Sequence, residues 1–89
     1  MENFIKTKDV EEAAFYWTLD KQFELDHIET TEHYGKNIVW FVFKSNLAKI
    51  DFEKLKNNYL NGKCSVEPRK FSYRRSEVKN IIREKYTSN

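Results

Sequence analysis

Three groups of side chains in this chain have types and spacings that could do chemistry, and each implies a different partner. The first is cationic. Arg75, Lys79 and Arg83 recur one helical turn apart, with Ser72 and Ser76 near the same row. Lys70, Arg74 and Lys85 form a second row, and Arg69 precedes both. At about 100° per residue the two rows flank an apolar seam of Phe71, Val78, Ile82 and Tyr86, with Ile81 at its edge. Cations at this repeat can meet successive phosphates of a nucleic acid, and counterion release then drives binding. Arg75, Lys79 and Arg83 would contact phosphates, while Arg69, Lys70 and Arg74 supply supporting field. The plainer alternative is that these long stems border the seam, cover it and keep their heads in water. Glu77 and Glu84 also dilute the rows.

The second group surrounds Trp40, which stands between Ile38 and Val42 in the run Ile38-Val39-Trp40-Phe41-Val42-Phe43. A Trp in a shallow apolar patch ringed by polar groups is a common anchor for a protein partner. The same ring could stack an exposed base. Glu24 and Asp26 are expected beside it, with Glu29 and Glu32 further along, and carboxylates there repel a phosphate backbone. A protein partner therefore suits that spot better. The plainer alternative is that a helix, or a second copy of the chain, covers the face.

The third group is the metal-ligand set His27, His33, Asp26, Glu29, Glu32 and Cys64. His27 and His33 stand six apart and match no zinc spacing. Cys64 has no sequence context marking a nucleophile. No carboxylate pair lies in an apolar stretch that would tune its pKa, and the two glycines build no phosphate-cradling loop. Solvated surface is the expectation for this set, with no enzyme activity, no metal and no cofactor.

Charge is distributed unevenly. The net +2 hides a split: residues 1–62 hold eight Lys and eleven Asp/Glu, a net −3, while residues 63–89 hold eight Lys/Arg and three Glu, a net +5. Every Arg lies in the second part. A basic third on an acidic body is the asymmetry that favours a nucleic-acid ligand. One cysteine excludes an internal disulfide and fits a reducing compartment. The start Met1-Glu2-Asn3-Phe4 lacks a basic region and an apolar signal core, and no apolar stretch approaches the about 20 residues of a membrane span. The expectation is a cytoplasmic protein with no membrane contact.

The elements that must position these groups follow from the apolar pattern. Eighty-nine residues, with seven Phe, five Tyr and two Trp, make one domain with a small real core. Residues 1–8 read as an extended lead-in whose Phe4 and Ile5 tuck against the body. Asp9 and Glu12 form a capping box, with Thr7 an alternative cap, for a helix over 10–19. Val10, Ala13, Ala14 and Trp17 make its buried stripe, and Phe15 and Tyr16 widen it. Residues 22–30 alternate as a half-buried strand, and 38–44 are apolar on both faces. A loop over 33–37 joins them, longer than the tight two-residue type. Val39, Phe41 and Phe43 are expected to face the core, leaving Trp40 outside.

A helix over 47–61, capped by Ser45 or Asn46 or restarted at Asp51, uses Phe52, Leu55 and Tyr59 and closes at Asn61-Gly62. Pro68 opens a basic helix over 68–86. The expectation is an α+β fold, a single α-β-β-α-α domain in which a two-stranded antiparallel hairpin packs with three helices. Such a hairpin is marginal alone, so homodimerisation across strands is a further expectation.

The chain also resembles a small family, a domain of unknown function found in bacteria and their phages. The matching pieces are Phe4-Ile5-Lys6-Thr7-Lys8-Asp9 before Ala13-Ala14, then Phe41-Val42-Phe43, Tyr59-Leu60-Asn61-Gly62-Lys63 and Val66-Glu67-Pro68-Arg69-Lys70-Phe71, with a closing 82–86 segment. They cover most of the chain in order. The departure is Asp20-Lys21, where the family has Gly after the first helix. The resemblance implies an α-β-β-α-α domain, often of phage origin and then working in a bacterial host cell. It implies no activity or catalytic residue. A phage-type protein that binds or inhibits a partner protein through the Trp40 face is the second functional expectation beside nucleic-acid binding.

Overall fold

A computed structural model describes residues 3–62 and 66–87, the last two by their backbone alone. The element order is β1 (Asn3–Thr7), α1 (Val10–Thr18), β2 (Phe23–His33), β3 (Lys36–Ser45), α2 (Lys49–Leu60) and α3 (Pro68–Thr87). The α+β class and the three helices agree with the sequence reading. The two-stranded hairpin and the α-β-β-α-α order do not. The sheet has three strands in the order β1-β3-β2, both pairings antiparallel. The expected lead-in is its first strand. Ile5 lies opposite Phe43 and Thr7 opposite Phe41, so Asn3, Ile5 and Thr7 turn inward while Phe4 and Lys6 turn out. The reason lies in β3. A strand apolar on both faces belongs in the middle of a sheet, where each of its edges needs a neighbour.

β2 and β3 are longer than expected because the turn is tight. Only Tyr34 and Gly35 separate them, at φ 51 and φ 76. Positive φ at both positions is the two-residue hairpin turn whose twist matches the strands. A bulge between Leu25 and His27 shifts the register, so inward residues run Phe23, Leu25, Ile28, Thr30. The extra residue, Asp26, swells the outer edge.

The core is one cluster on the inner face. Phe41 and Phe43 are 0 % exposed and, with Val39 and Phe23, meet Ala13, Ala14, Phe15 and Tyr16 of α1 and Val78 of α3. The Asp9 carboxylate caps α1 by accepting from the Glu12 amide at 2.8 Å. Glu12 does not complete the box; its carboxylate accepts from the Tyr16 hydroxyl at 2.6 Å. Burial, then that hydrogen bond, pushes the Tyr16 phenol well above its ordinary range. The turn after α1 closes with the Gln22 and Phe23 amides donating to the Leu19 carbonyl. Among the described residues only Tyr34, Gly35 and Gly62 have positive φ, so the turn at Asp20-Lys21 needs no glycine.

α2 touches the core through Phe52, Leu55 and Tyr59, as its spacing predicts, but buries no residue fully. Its N-cap is Ala48, with no side-chain cap from Ser45 or Asn46. Pro68 opens α3, and the Glu67 carboxylate accepts from the Arg69 and Lys70 amides at 3.2 and 2.6 Å. Phe71, Ile81 and Ile82 pack with Val78; the Tyr86 side chain and Cys64 lie outside the described residues. All three helices thus lie on one side of the sheet. Among the described residues, no helix or further strand covers the other.

Candidate interaction surfaces

The basic helix meets an acidic one. α1 and α3 pack closely through Ala13 and Ala14, and this lays the carboxylates of α1 along the cationic flanks of α3. Arg75 Nε donates to Glu11 Oε1. Lys70 Nζ donates to Asp20 at 2.6 Å, and this contact holds the Asp20 carboxyl below its usual range. Arg74 pairs with Glu77 at 3.2 Å, while its guanidinium carbon lies 4.5 Å from the centre of the Trp17 ring. The Arg74 Nε is buried with no hydrogen-bond partner among the described residues. Arg83 is exposed and also engaged within the molecule. Arg69 and Lys79 are exposed and form no ion pair with a described residue.

Of the six cations expected to bind nucleic acid, then, Lys70, Arg74 and Arg75 are tied to carboxylates among the described residues, and Arg83 is engaged as well. The −3/+5 split along the chain becomes, in space, attraction between its two halves. The Lys70–Asp20 and Arg75–Glu11 pairs are nearly half exposed, so each contributes little stability. Their effect on the surface is larger, because Glu11 and Asp20 neutralise the field that the rows would otherwise present.

The outer face of the sheet is built differently. Ile38, Trp40 and Val42 stand along the central strand, as expected from the inward direction of Val39, Phe41 and Phe43. Trp40 is half-buried, and its Nε1 donates to Thr31 Oγ1 at 2.9 Å. Lys6 Nζ lies 4.9 Å and Lys8 Nζ 5.8 Å from the Trp40 ring centre, within cation–π range. Lys6 also reaches Glu29 at 3.4 Å. Val42, opposite Lys6 on one side and His27 on the other, is only 4 % exposed although no helix covers it. Long charged stems roof the apolar strip. Phe4, further along β1, is 60 % exposed.

The carboxylate directly opposite Trp40 is Glu29. Glu24 is opposite Lys44, and Asp26 sits at the bulge, so neither of the two carboxylates named from sequence is the cross-strand neighbour of the ring. His27 links them: Nδ1 is 2.6 Å from Asp26 and Nε2 is 2.8 Å from Glu29. A ring with an acceptor at each nitrogen is best served by two N–H donors, the charged form. The hydrogen bond to Glu29, then that to Asp26, raises the His27 pKa above its ordinary value. The same contact, followed by Lys6, lowers that of Glu29. Sequence reasoning missed Lys6, Lys8, His27 and Thr31 here. The signal for Lys6 was its place in the alternation of Asn3–Thr7, had that segment been taken as a strand.

His33 lies at the hairpin tip with its ring 4.3 Å from that of Tyr34. Among the described residues no cluster of three or more His, Cys, Asp or Glu is arranged to hold a metal, and no helix is long and apolar enough to cross a membrane. Compared with known proteins, the chain matches no family model, no curated sequence and no solved structure.

Proposed function

We propose that this domain is a non-enzymatic binding module that engages a protein partner through the outer face of its sheet, with Trp40 as anchor. One observation carries the reading: the central strand is apolar on both sides, and the helices cover only one of them. A half-buried Trp flanked by Ile38 and Val42, with exposed Phe4 two rows further along the sheet, and rimmed by Lys6, Glu29 and His27, has the layout of an apolar anchor inside a polar rim. Glu24 and Asp26 belong to that rim. The family resemblance adds a phage-type interaction protein or inhibitor, acting in the bacterial cytoplasm, to the same proposal. Selection of a displayed peptide library on the immobilised domain tests the reading. Wild type should enrich binders that Trp40→Ala, folded by circular dichroism, no longer retains. Equal enrichment on both, or unfolding of Trp40→Ala, overturns it.

A second reading, nucleic-acid binding along α3, is favoured by Arg69 and Lys79, whose side-chain charges form no ion pair with a described carboxylate. It requires Arg75 and Lys70 to exchange Glu11 and Asp20 for phosphate. Gel shifts over a salt series test it. Binding that weakens with salt by a log–log slope of about −0.9 per phosphate neutralised supports it. No shift at low salt sinks it.

A further inference from the structure

We infer that the occupant of the outer face is a second copy of this chain, held across a two-fold axis that runs along β3; this rests on the outer face being the working surface. Charge on the outer face follows a lateral order. Across that face, the β1 side carries Lys6, with Lys8 just beyond the strand, and the β2 side carries Glu24, Asp26 and Glu29. The apolar strip of Ile38, Trp40 and Val42 separates them. His27, charged, offsets one carboxylate and leaves the β2 side acidic.

Two identical faces can meet only about an axis lying in the plane between them. With the axis across the strands, lysines oppose lysines and carboxylates oppose carboxylates. With the axis along β3, the β1 edge of each copy lies over the β2 edge of the other. Each residue keeps its row: Lys8, next to Thr7 and so in the row of Trp40, lies over the partner's Glu29, Lys6 lies over the partner's His27 between Asp26 and Glu29, and Trp40 meets its own copy. Such an arrangement is self-complementary in charge and in apolar position, as an isologous interface must be. An axis oblique to the strands would instead cross the two sheets, so that only a small square of each met the other.

The test exploits Lys8 and Glu29, which share the row of Trp40. Lys8→Glu alone puts like charges at both symmetry-related contacts, and Glu29→Lys alone does the same with the other sign. Mixed one to one, the two variants restore opposite charges at both. Sedimentation equilibrium from about 10 μM to about 1 mM should show a wild-type dimer, at least about tenfold weaker association for each variant alone, and a recovered one-to-one heterodimer in the mixture. A wild type that stays monomeric up to 1 mM overturns the proposal, as does a mixture no more associated than its components. Ile38→Cys in a Cys64→Ser background gives an independent readout that needs no charge change. Residues on the axis face themselves across about 10 Å, so a short bis-maleimide should join two copies. No covalent dimer at concentrations where the wild type associates overturns the axis. If wild type is monomeric while Trp40-dependent peptides are still selected, the second copy is refuted and the protein-binding face survives.

Discussion

The two faces of β3 have nearly equal apolar content and opposite fates. Val39, Phe41 and Phe43 are enclosed by Phe15, Tyr16 and Val78, so water is excluded by packing. Among the described residues, Trp40 and Val42 are roofed by the stems of Lys6 and Lys8 and by His27, while Ile38 stands opposite Thr31. Apolar area alone therefore does not say which side of a strand is core. The inner face is fixed by many contacts that cannot move independently. The outer face is kept from water by side chains that can swing aside when another surface arrives.

Substitutions on the two faces should separate by magnitude. Phe41→Ala, at a site with no exposure, should cost about 3–5 kcal/mol in urea unfolding. That is a large share of what a domain of this size has to lose. Trp40→Ala should cost about 1 kcal/mol, since the ring is half-buried and held by one hydrogen bond and cation–π contacts. Equal costs at the two positions would erase the distinction between the faces. On the covered side, Arg75→Gln should cost below about 1 kcal/mol, and the difference should shrink in high salt, because the Glu11 pair is nearly half exposed. A cost that persists in 1 M salt would mean the α1–α3 contact depends on packing of the Arg stem and not on its charge.

The smallest expected effect concerns the roof of the outer face. His27 should titrate above its ordinary 6.5, and Glu29→Gln should bring it back toward that value, read by NMR of the ring. Because the folded pKa is raised, the contribution of His27 to stability is complete below about 6.5 and is lost as pH rises through the folded value. Glu29, with its pKa lowered from 4.5, contributes fully above that value and loses its share as pH falls through the folded one. The pair is therefore most effective between about 4.5 and 6.5. An unshifted His27 would mean the ring does not bridge the two carboxylates.

Much of the covered side was legible in the sequence. The run 38–43 announced the central strand, and its neighbours chose Val39, Phe41 and Phe43 for the core. Phe15 and Tyr16, off the stripe of α1, signalled a helix buried around most of its girth. Gly62 and Pro68 marked a helix end and a helix start. The open side was harder to read, for identifiable reasons. β1 is five residues long, and only its partner β3 makes it a strand. The bulge at Asp26 breaks the alternation of β2 at the point where a pattern would be followed. Tyr at φ 51 is an uncommon opening for a tight hairpin turn, which hid the true lengths of β2 and β3. The charge split was visible, but Arg75 and Glu11 are 64 residues apart, and nothing local says that one half of the split closes on the other.

The central claim is that this molecule meets its partner with the outer face of the sheet and that the partner is itself. Backbone amide shifts followed by NMR on dilution from about 1 mM to about 10 μM test it most directly. The account predicts changes at Lys6, Lys8, His27, Glu29, Ile38, Trp40 and Val42, with α3 silent. Changes clustered between Arg69 and Arg83, or a spectrum indifferent to concentration, would contradict it.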